Sequence, residues 1–201
     1  MQKKLAVIYV TGVGDANVSS QRRAVSVWRL WGVQAAVLQM QWARAETWHV
    51  KQARLLAEID RLLAQDRPVA LVGASAGAAA VVNAYAIRKD QLIGCVLIAG
   101  KVNHPETIGE NYRRGNPDLL ACVQACQQSL AELDTQDRKR ILSRYALFDA
   151  VVPLQDSVIP GARGGAVPTA GHTITIALQL LFGAPSFLSF LKRLAKLRKA
   201  T

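Results

Sequence analysis

The stretch with the clearest chemical potential is G-A-S-A-G, from Gly73 to Gly77, which has Ser75 at its centre. The apolar residues 69–73 before it predict a short strand buried on both faces, and Ala76 to Ala86 predicts a helix that begins at once. A strand that turns into a helix within three residues holds its corner residue in a strained conformation, and small neighbours let the two backbones pass closely. Ser75 would then present its hydroxyl at the positive end of a helix dipole.

Two later residues could serve this hydroxyl. Asp149 follows a predicted strand, and His172 lies in T-A-G-H-T, just before an apolar helix predicted from Thr173 to Phe182. A histidine can take the proton of a serine, and a carboxylate can orient that histidine. Asp156 is an alternative carboxylate. His104, which opens a polar segment, is predicted to lie on the surface or at the edge of a substrate site.

The G-x-S-x-G pattern between a strand and a helix, followed in order by Asp149 and His172, resembles the α/β-hydrolase superfamily. The resemblance covers most of the chain, and only the polar segment and the basic tail fall outside it. It implies a serine hydrolase that cleaves a carboxylic ester or thioester through an acyl-enzyme. Ser75 would be the nucleophile, His172 the base and Asp149 the acid, with no cofactor and no metal.

The resemblance also places an oxyanion hole at the backbone amides of Ala76 and Val13. Val13 belongs to the turn T-G-V-G-D after the first strand, in which Thr11 stands where the family often has histidine. Asp15 would bring a negative charge near the oxyanion unless it points away or caps the next helix. The same turn could be an ordinary tight turn, and it lacks the third glycine that a nicotinamide-binding G-x-G-x-x-G requires.

Strands and helices are predicted to alternate along the chain. We expect strands at 5–10, 33–42, 69–73, 92–99 and 141–148. Helices are expected through about Leu30 with Ser19 or Ser20 as the N-cap, from Glu46 or Thr47 to about Gln65, and from Leu119 to Leu133. The Gly/Pro-rich stretch 159–168 is predicted to be a loop. This rhythm predicts an α/β fold: a three-layer α/β/α sandwich with a mostly parallel central sheet of about six strands. Trp42 and Trp48 are predicted to pack in the core, with a ligand contact as the alternative.

The 201 residues predict one domain, 1–201. The polar segment 101–139 is either a lid over the site or a set of ordinary surface helices. The first apolar run is too short for a signal peptide, and the late run Ile174 to Leu191 is interrupted by Gly183 and Pro185, so neither predicts a transmembrane helix.

The formal net charge of +11 favours anionic partners. The basic C-terminal helix 185–199 could lie on an anionic membrane surface, although we expect it to dock its leucines on the sheet and leave its lysines in water. Nucleic acid is an unlikely partner because the basic runs lack interleaved aromatic residues. The sparse cysteines predict a cytoplasmic protein, which could also contact a membrane peripherally. Cys122 and Cys126 are predicted to be packed residues rather than a redox pair.

A second function is compatible with these features. A non-catalytic protein of the same fold could bind anionic lipid or a protein partner through its basic surfaces. Thr11, Asp15 and the charge favour that alternative, whereas the ordered set of Ser75, Asp149 and His172 disfavours it.

Overall fold

The computed structural model describes residues 3–198, and these residues form one six-stranded sheet in which every neighbouring pair of strands is parallel. The strands are β1 (Ala6–Val10), β2 (Gln34–Leu38), β3 (Val69–Ala74), β4 (Cys95–Ile98), β5 (Ile141–Phe148) and β6 (Arg163–Ala170). Their order across the sheet is β2-β1-β3-β4-β5-β6. Because β1 and β3 are entirely buried, both faces of the sheet centre must be covered.

Helices follow most of the strands. They are α1 (Ser19–Ser26), α2 (Trp48–Leu63), α3 (Ala76–Arg88), α4 (Glu110–Gly115), α5 (Leu119–Glu132), α6 (Thr135–Lys139), α7 (Leu154–Ser157), α8 (His172–Leu178) and α9 (Ala184–Leu197). Two 3-10 helices, Val27–Trp31 and Pro105–Thr107, and a π-helical segment, Gln179–Gly183, complete the described elements. Helix α1 begins at Ser19, two residues after Asn17, whose side chain accepts from the Ser19 amide. Ser19 and Ser20 are therefore the first residues of the helix, and their predicted role as N-caps is wrong.

The helices form two layers, one on each face of the sheet. One core contains Leu55 of α2, Val81 of α3 and Cys122 of α5. The other contains Val25 of α1 and Phe187 of α9. Residues that alternate along β1 belong alternately to the two cores, as the pleat of a strand requires. The predicted three-layer α/β/α sandwich with a mostly parallel sheet is therefore confirmed.

The sixth strand is the main local difference from the sequence prediction. Residues 163–170 form β6 at the edge of the sheet, although 163–168 belong to the stretch 159–168 that was predicted to be a loop. An edge strand pairs on one side only, so it tolerates Pro168, which lacks an amide proton, and the adjacent glycines. The glycine and proline content of this stretch indicated a loop. Pairing with β5 makes it a strand.

The C-terminal helix docks as expected. Phe187, Leu188 and Leu191 are buried against the sheet, while the cationic Lys196 is exposed. Lys199, the last residue of the predicted helix 185–199, lies outside the described residues.

The run from His172 to Leu197 is continuous rather than broken at Gly183 and Pro185. Pro185 lies two residues after the π-helical segment, where the hydrogen-bond pattern of the run changes. By length and composition alone this run could cross a membrane, but 44% of its most apolar window is buried inside the protein. The core therefore uses part of its apolar surface and leaves the rest exposed.

Both tryptophans singled out in the sequence are buried, and the predicted core role is confirmed. The rings of Trp42 and Trp48 stack with centroids 6.5 Å apart. Beside them, the fully buried Lys51 donates to the Trp42 carbonyl and forms an ion pair of 2.8 Å with Asp118. Sequence analysis did not predict the burial of Lys51, because a lysine side chain on a helix is usually exposed.

The three cysteines are free and buried. Burial raises the pKa of the thiols of Cys95, Cys122 and Cys126, which keeps them protonated and unreactive. These positions favour packing over a redox role for Cys122 and Cys126.

The side chain of Asp137 should make stability depend on pH. It accepts from Lys89 Nζ and from an Arg140 guanidinium nitrogen, each at 2.7 Å. Burial alone would raise its pKa, but these hydrogen bonds, with one from the Asp134 amide, hold the pKa below its usual value. A lowered pKa stabilises the fold above the unfolded-state pKa of about 4, and this contribution is lost as the pH falls through the native value.

We therefore expect Asp137→Asn to lower the free energy of unfolding by about 1–3 kcal/mol at neutral pH. The difference from the native chain should shrink as the pH falls below about 4. Urea unfolding at pH values from neutral to acidic measures both. Asp66→Asn is the matched control, because the side chain of Asp66 is 92% exposed and should contribute under about 0.5 kcal/mol. A pH-independent difference for Asp137→Asn would contradict this assignment.

Candidate active site

Ser75 occupies the turn between β3 and α3. Its backbone has φ 53° and ψ −125°, a strained conformation for a residue with a side chain. The turn is tight because the start of α3 passes close to the end of β1. A Cβ on Gly77 would lie 2.4 Å from the Val10 carbonyl oxygen, so no larger residue fits there. The predicted strand, strained serine and helix are all present.

The structure brings the three predicted triad residues into one hydrogen-bonded chain. His172 Nε2 lies 2.9 Å from Ser75 Oγ, and His172 Nδ1 lies 2.8 Å from Asp149 Oδ2. All three side chains are nearly buried, which limits competition from water. A serine in this arrangement can pass its proton to the imidazole when it attacks an electrophile. The catalytic role of the three residues stays a prediction.

The other oxygen of Asp149 is also held. Oδ1 accepts from the amides of Val151 and Val152, both at 2.9 Å, so the carboxylate has a fixed orientation toward the imidazole. His172 is the first residue of α8, and the preceding Gly171 amide donates to the Phe148 carbonyl at 2.8 Å. This bond ties the histidine to the end of β5, where Asp149 follows.

Asp156, the alternative carboxylate, lies in a different cluster, so its assignment as the partner of His172 is wrong. Asp156 is fully buried in α7, where it accepts from Lys101 Nζ and lies 2.8 Å from His104 Nδ1. Lys101 also donates to the His104 carbonyl at 2.8 Å and to Thr107. His104 is partly exposed, at the surface as expected. Sequence analysis did not predict the Lys101–Asp156 pair, for which the only signal was a lysine three residues after the buried strand β4.

The two residues predicted for the oxyanion hole lie on either side of Ser75. Ala76 is the first residue of α3, where an amide has no helical acceptor one turn back. Val13 lies in the turn after β1, and both residues line the same cavity as Ser75. That turn approaches closely, since a Cβ on Gly12 would meet Ser75 Cβ at 2.8 Å. Their function as oxyanion donors stays a prediction.

Asp15 is held away from this cavity. Its carboxylate accepts from Thr11 Oγ1 at 2.9 Å and from the amides of Gln41 at 2.8 Å and Trp42 at 3.3 Å. Thr11 and Asp15 therefore fasten the turn after β1 to the segment that follows β2. The negative charge is satisfied there, and Asp15 is not among the residues that line the cavity.

The cavity above Ser75 has a volume of about 800 Å³. Its wall includes the turn after β1, part of the segment 107–119, residues 150–152 and the first turns of α8. Only part of the segment 101–139, predicted as either a lid or surface helices, lies at the cavity. Residues from Thr107 to Leu119 border the cavity, whereas α5 packs on α3, where Asn83 donates to the Cys122 carbonyl at 3.0 Å.

Among residues 3–198, no group of three or more histidine, cysteine, aspartate or glutamate side chains is placed to hold a metal ion.

No family model and no curated protein matches the chain. Solved structures do match over nearly its whole length. A lipolytic enzyme of the metagenome-derived LipS and LipT pair is 14% identical, with 99% of this chain and 95% of that chain covered and a TM-score of 0.70. Est1E from Butyrivibrio proteoclasticus is 15% identical, with 96% and 90% covered and a TM-score of 0.66.

A third similar structure is a putative non-heme bromoperoxidase, BpoC, from Mycobacterium tuberculosis H37Rv. It is 16% identical, with 96% of this chain and 94% of that chain covered and a TM-score of 0.70. At this level of identity the likeness concerns the fold.

Proposed function

We propose, from the premise that this chain has the α/β-hydrolase fold, that it is a serine hydrolase that cleaves carboxylic esters or thioesters. The observation that carries the proposal is the continuous hydrogen-bonded chain from Ser75 through His172 to Asp149. Esterases and lipolytic enzymes among the structural neighbours agree with this reaction class.

In the proposed first step, Ser75 Oγ attacks the carbonyl carbon of the ester while His172 Nε2 accepts the serine proton. Asp149 accepts from Nδ1–H, which holds the tautomer that leaves Nε2 free and stabilises the imidazolium. The contacts of 2.9 and 2.8 Å support both roles.

The tetrahedral oxyanion then accepts hydrogen bonds from the amides of Ala76 and Val13, each worth about 3 kcal/mol of barrier lowering. His172 gives its proton to the leaving alcohol or thiol, and an acyl-enzyme on Ser75 results. Water, deprotonated by His172, attacks the acyl carbon and releases the acid and the free serine.

The cavity favours an apolar acyl group. Side chains such as Ile108, Leu119 and Ile176 line it, together with Tyr112. Lys101 also borders the cavity, but its ammonium group already contacts Asp156, Thr107 and the His104 carbonyl. With that charge neutralised, a carboxylate on the acyl chain would gain little from Lys101.

The proposal includes a cytoplasmic location and contact with anionic membranes through the basic C-terminal region. Free, buried cysteines suit a reducing compartment. The excess of positive charge suits anionic lipid.

A fluorophosphonate probe tests the proposed nucleophile, because it reacts with activated serines. We expect the native chain to be labelled at Ser75, and we expect labelling to be absent from Ser75→Ala. Ser157→Ala is a control, since Ser157 Oγ donates to a backbone carbonyl and has no histidine contact. A folded native chain that resists the probe would contradict the mechanism and favour a non-catalytic binding protein.

A further inference from the structure

An exposed apolar stripe runs along α8 and the π-helical segment. Four large apolar side chains share it: Ile174, Leu178, Leu181 and Phe182, which are 58%, 36%, 46% and 76% exposed. Their spacing of four, three and one residues places them on one face of the helical run. The opposite face is used by the core, where Leu180 is buried. Contiguous exposed apolar surface of this kind marks an interaction site.

The layer that carries this stripe has no acidic residue in its helices. The sequence contains no Asp or Glu between Asp15 and Glu46, and none after Asp156. The helices α1, Val27–Trp31, α8 and α9 therefore contribute only positive charges, from Arg22, Arg23, Arg29, Lys192, Arg193 and Lys196, which we call the basic rim. On the opposite layer, α2 carries Glu58 and Asp60.

Hydrogen bonds join the helices that carry the basic rim to one another and to the helical run that carries the stripe. Trp28 Nε1 donates to the Leu180 carbonyl at 2.9 Å, so the 3-10 helix that contains Arg29 lies beside the π-helical segment. Lys192 Nζ donates to the Trp31 carbonyl at 3.2 Å and fastens α9 to the same 3-10 helix. An apolar stripe beside cations is complementary to a surface of anionic headgroups over acyl chains.

The stripe begins at the edge of the active-site cavity. His172 is the first residue of α8, Thr173 and Ile176 line the cavity, and Ile174 between them is exposed. The ring of Phe148, 75% exposed, adds apolar surface at the same end, because its carbonyl accepts from Gly171. A molecule held on the stripe would therefore lie next to Ser75 and its cavity.

The buried part of this helical run decides its orientation on a membrane. Phe187 and Leu191 of α9 pack into the core, so the run lies along the protein and presents its outer side to a membrane rather than crossing it. The same packing removes most of the apolar face of α9 as a lipid contact. Among residues 172–197, four of the five exposed large apolar side chains belong to the stripe, and the fifth, Leu197, lies at the far end of α9.

We propose that the stripe and the basic rim form a docking surface for anionic phospholipid membranes, which holds the cavity at the lipid interface. The substrates would then be amphiphilic esters whose acyl chains lie in the bilayer. The statement about amphiphilic ester substrates rests on the proposed ester hydrolysis. The docking surface itself does not depend on that proposal.

Vesicle sedimentation of the Ser75→Ala chain tests docking without turnover. We expect binding to vesicles of equal parts phosphatidylglycerol and phosphatidylcholine, and weak binding to phosphatidylcholine alone. Binding should be largely lost at about 1 M salt, where the screening length is about 3 Å. Leu181→Gln with Phe182→Gln should lower the bound-to-free ratio at least about tenfold, because the buried apolar contact is removed.

The matched control is Val50→Gln with Ile87→Gln, two exposed apolar residues of the opposite layer, 51% and 47% exposed. This control should bind as the parent does. Equal loss in both double variants, or no binding of the parent, would overturn the docking surface. A concentration-dependent dimer in size-exclusion chromatography that the stripe variant abolishes would also overturn it, since the stripe would then bind a second copy.

Activity with intact Ser75 separates docking from catalysis. The stripe variant should hydrolyse a short soluble ester at the native rate and a vesicle-borne lipid ester more slowly. Normal vesicle binding without any ester hydrolysis would refute the proposed function and leave the docking surface standing.

Discussion

Ester hydrolysis by His172→Gln is expected to be slower than that of the native chain by about 10⁴-fold or more. Glutamine can donate or accept a hydrogen bond near Ser75 Oγ, but it cannot take up and return a proton at neutral pH. Ser75 would lose its base, and the leaving group would lose its acid. Initial rates with a p-nitrophenyl ester of a short acid measure the effect.

The chain offers a closely matched control in His104→Gln. Both histidines lie 2.8 Å from an aspartate through Nδ1, but only His172 also contacts Ser75. We expect His104→Gln to change kcat/KM by less than about tenfold, since no proton of the reaction passes through it. If the losses were reversed, the base would have to be assigned to His104 and the proposed triad would be wrong.

Gly77→Ala is expected to destabilise the fold by at least about 3 kcal/mol, because the added methyl group must displace backbone rather than a mobile side chain. The Cβ would meet the carbonyl oxygens of Val10 and Thr11 at 2.4 and 2.6 Å. Movement of α3 away from β1 would also shift Ser75 relative to Val13. We expect a loss of melting temperature of about 6–12 °C for a chain of this size, together with reduced fluorophosphonate labelling.

Gly115→Ala serves as the comparison for that substitution. No atom lies within 4 Å of a Cβ at Gly115, and the residue ends α4 without a positive φ. Alanine there should leave stability unchanged or raise it by about 0.4–1 kcal/mol, through the lower entropy of the unfolded chain. Thermal unfolding, monitored by circular dichroism, measures the melting temperatures of Gly77→Ala and Gly115→Ala. Equal melting temperatures for both variants would show that α3 and β1 can separate without a loss of stability, and would contradict the expected effect of Gly77→Ala.

The strand, turn and helix around Ser75 were predictable because their determinants are local. Five consecutive residues supply the end of a buried strand, the corner and the start of a helix, and the small residues at Gly73 and Gly77 report the close packing that the corner requires. The strand and helix rhythm was predictable for a similar reason, since apolar periodicity is a property of short windows.

Local sequence could not decide whether Asp149 or Asp156 contacts His172. Asp149 follows β5 directly and Asp156 comes seven residues later in α7. The packing of α7 turns Asp156 toward Lys101, while the end of β5 directs Asp149 to His172. The strand β6 was missed because its pairing with β5, rather than its composition, makes it extended. The burial of Lys51 and Lys101 likewise depends on partners distant in sequence or brought close by a turn.

The sequence by itself determined the alternation of elements, the position of the strained serine and the excess of positive charge, because each depends on residue types within a short stretch or on a sum over the chain. Tertiary structure alone decided which carboxylate faces His172, where Asp15 points, and which side of the helical run 172–197 meets the core. The reason is that contacts between distant segments fix the orientation of a side chain, and apolar composition cannot distinguish a face that is buried from one left exposed.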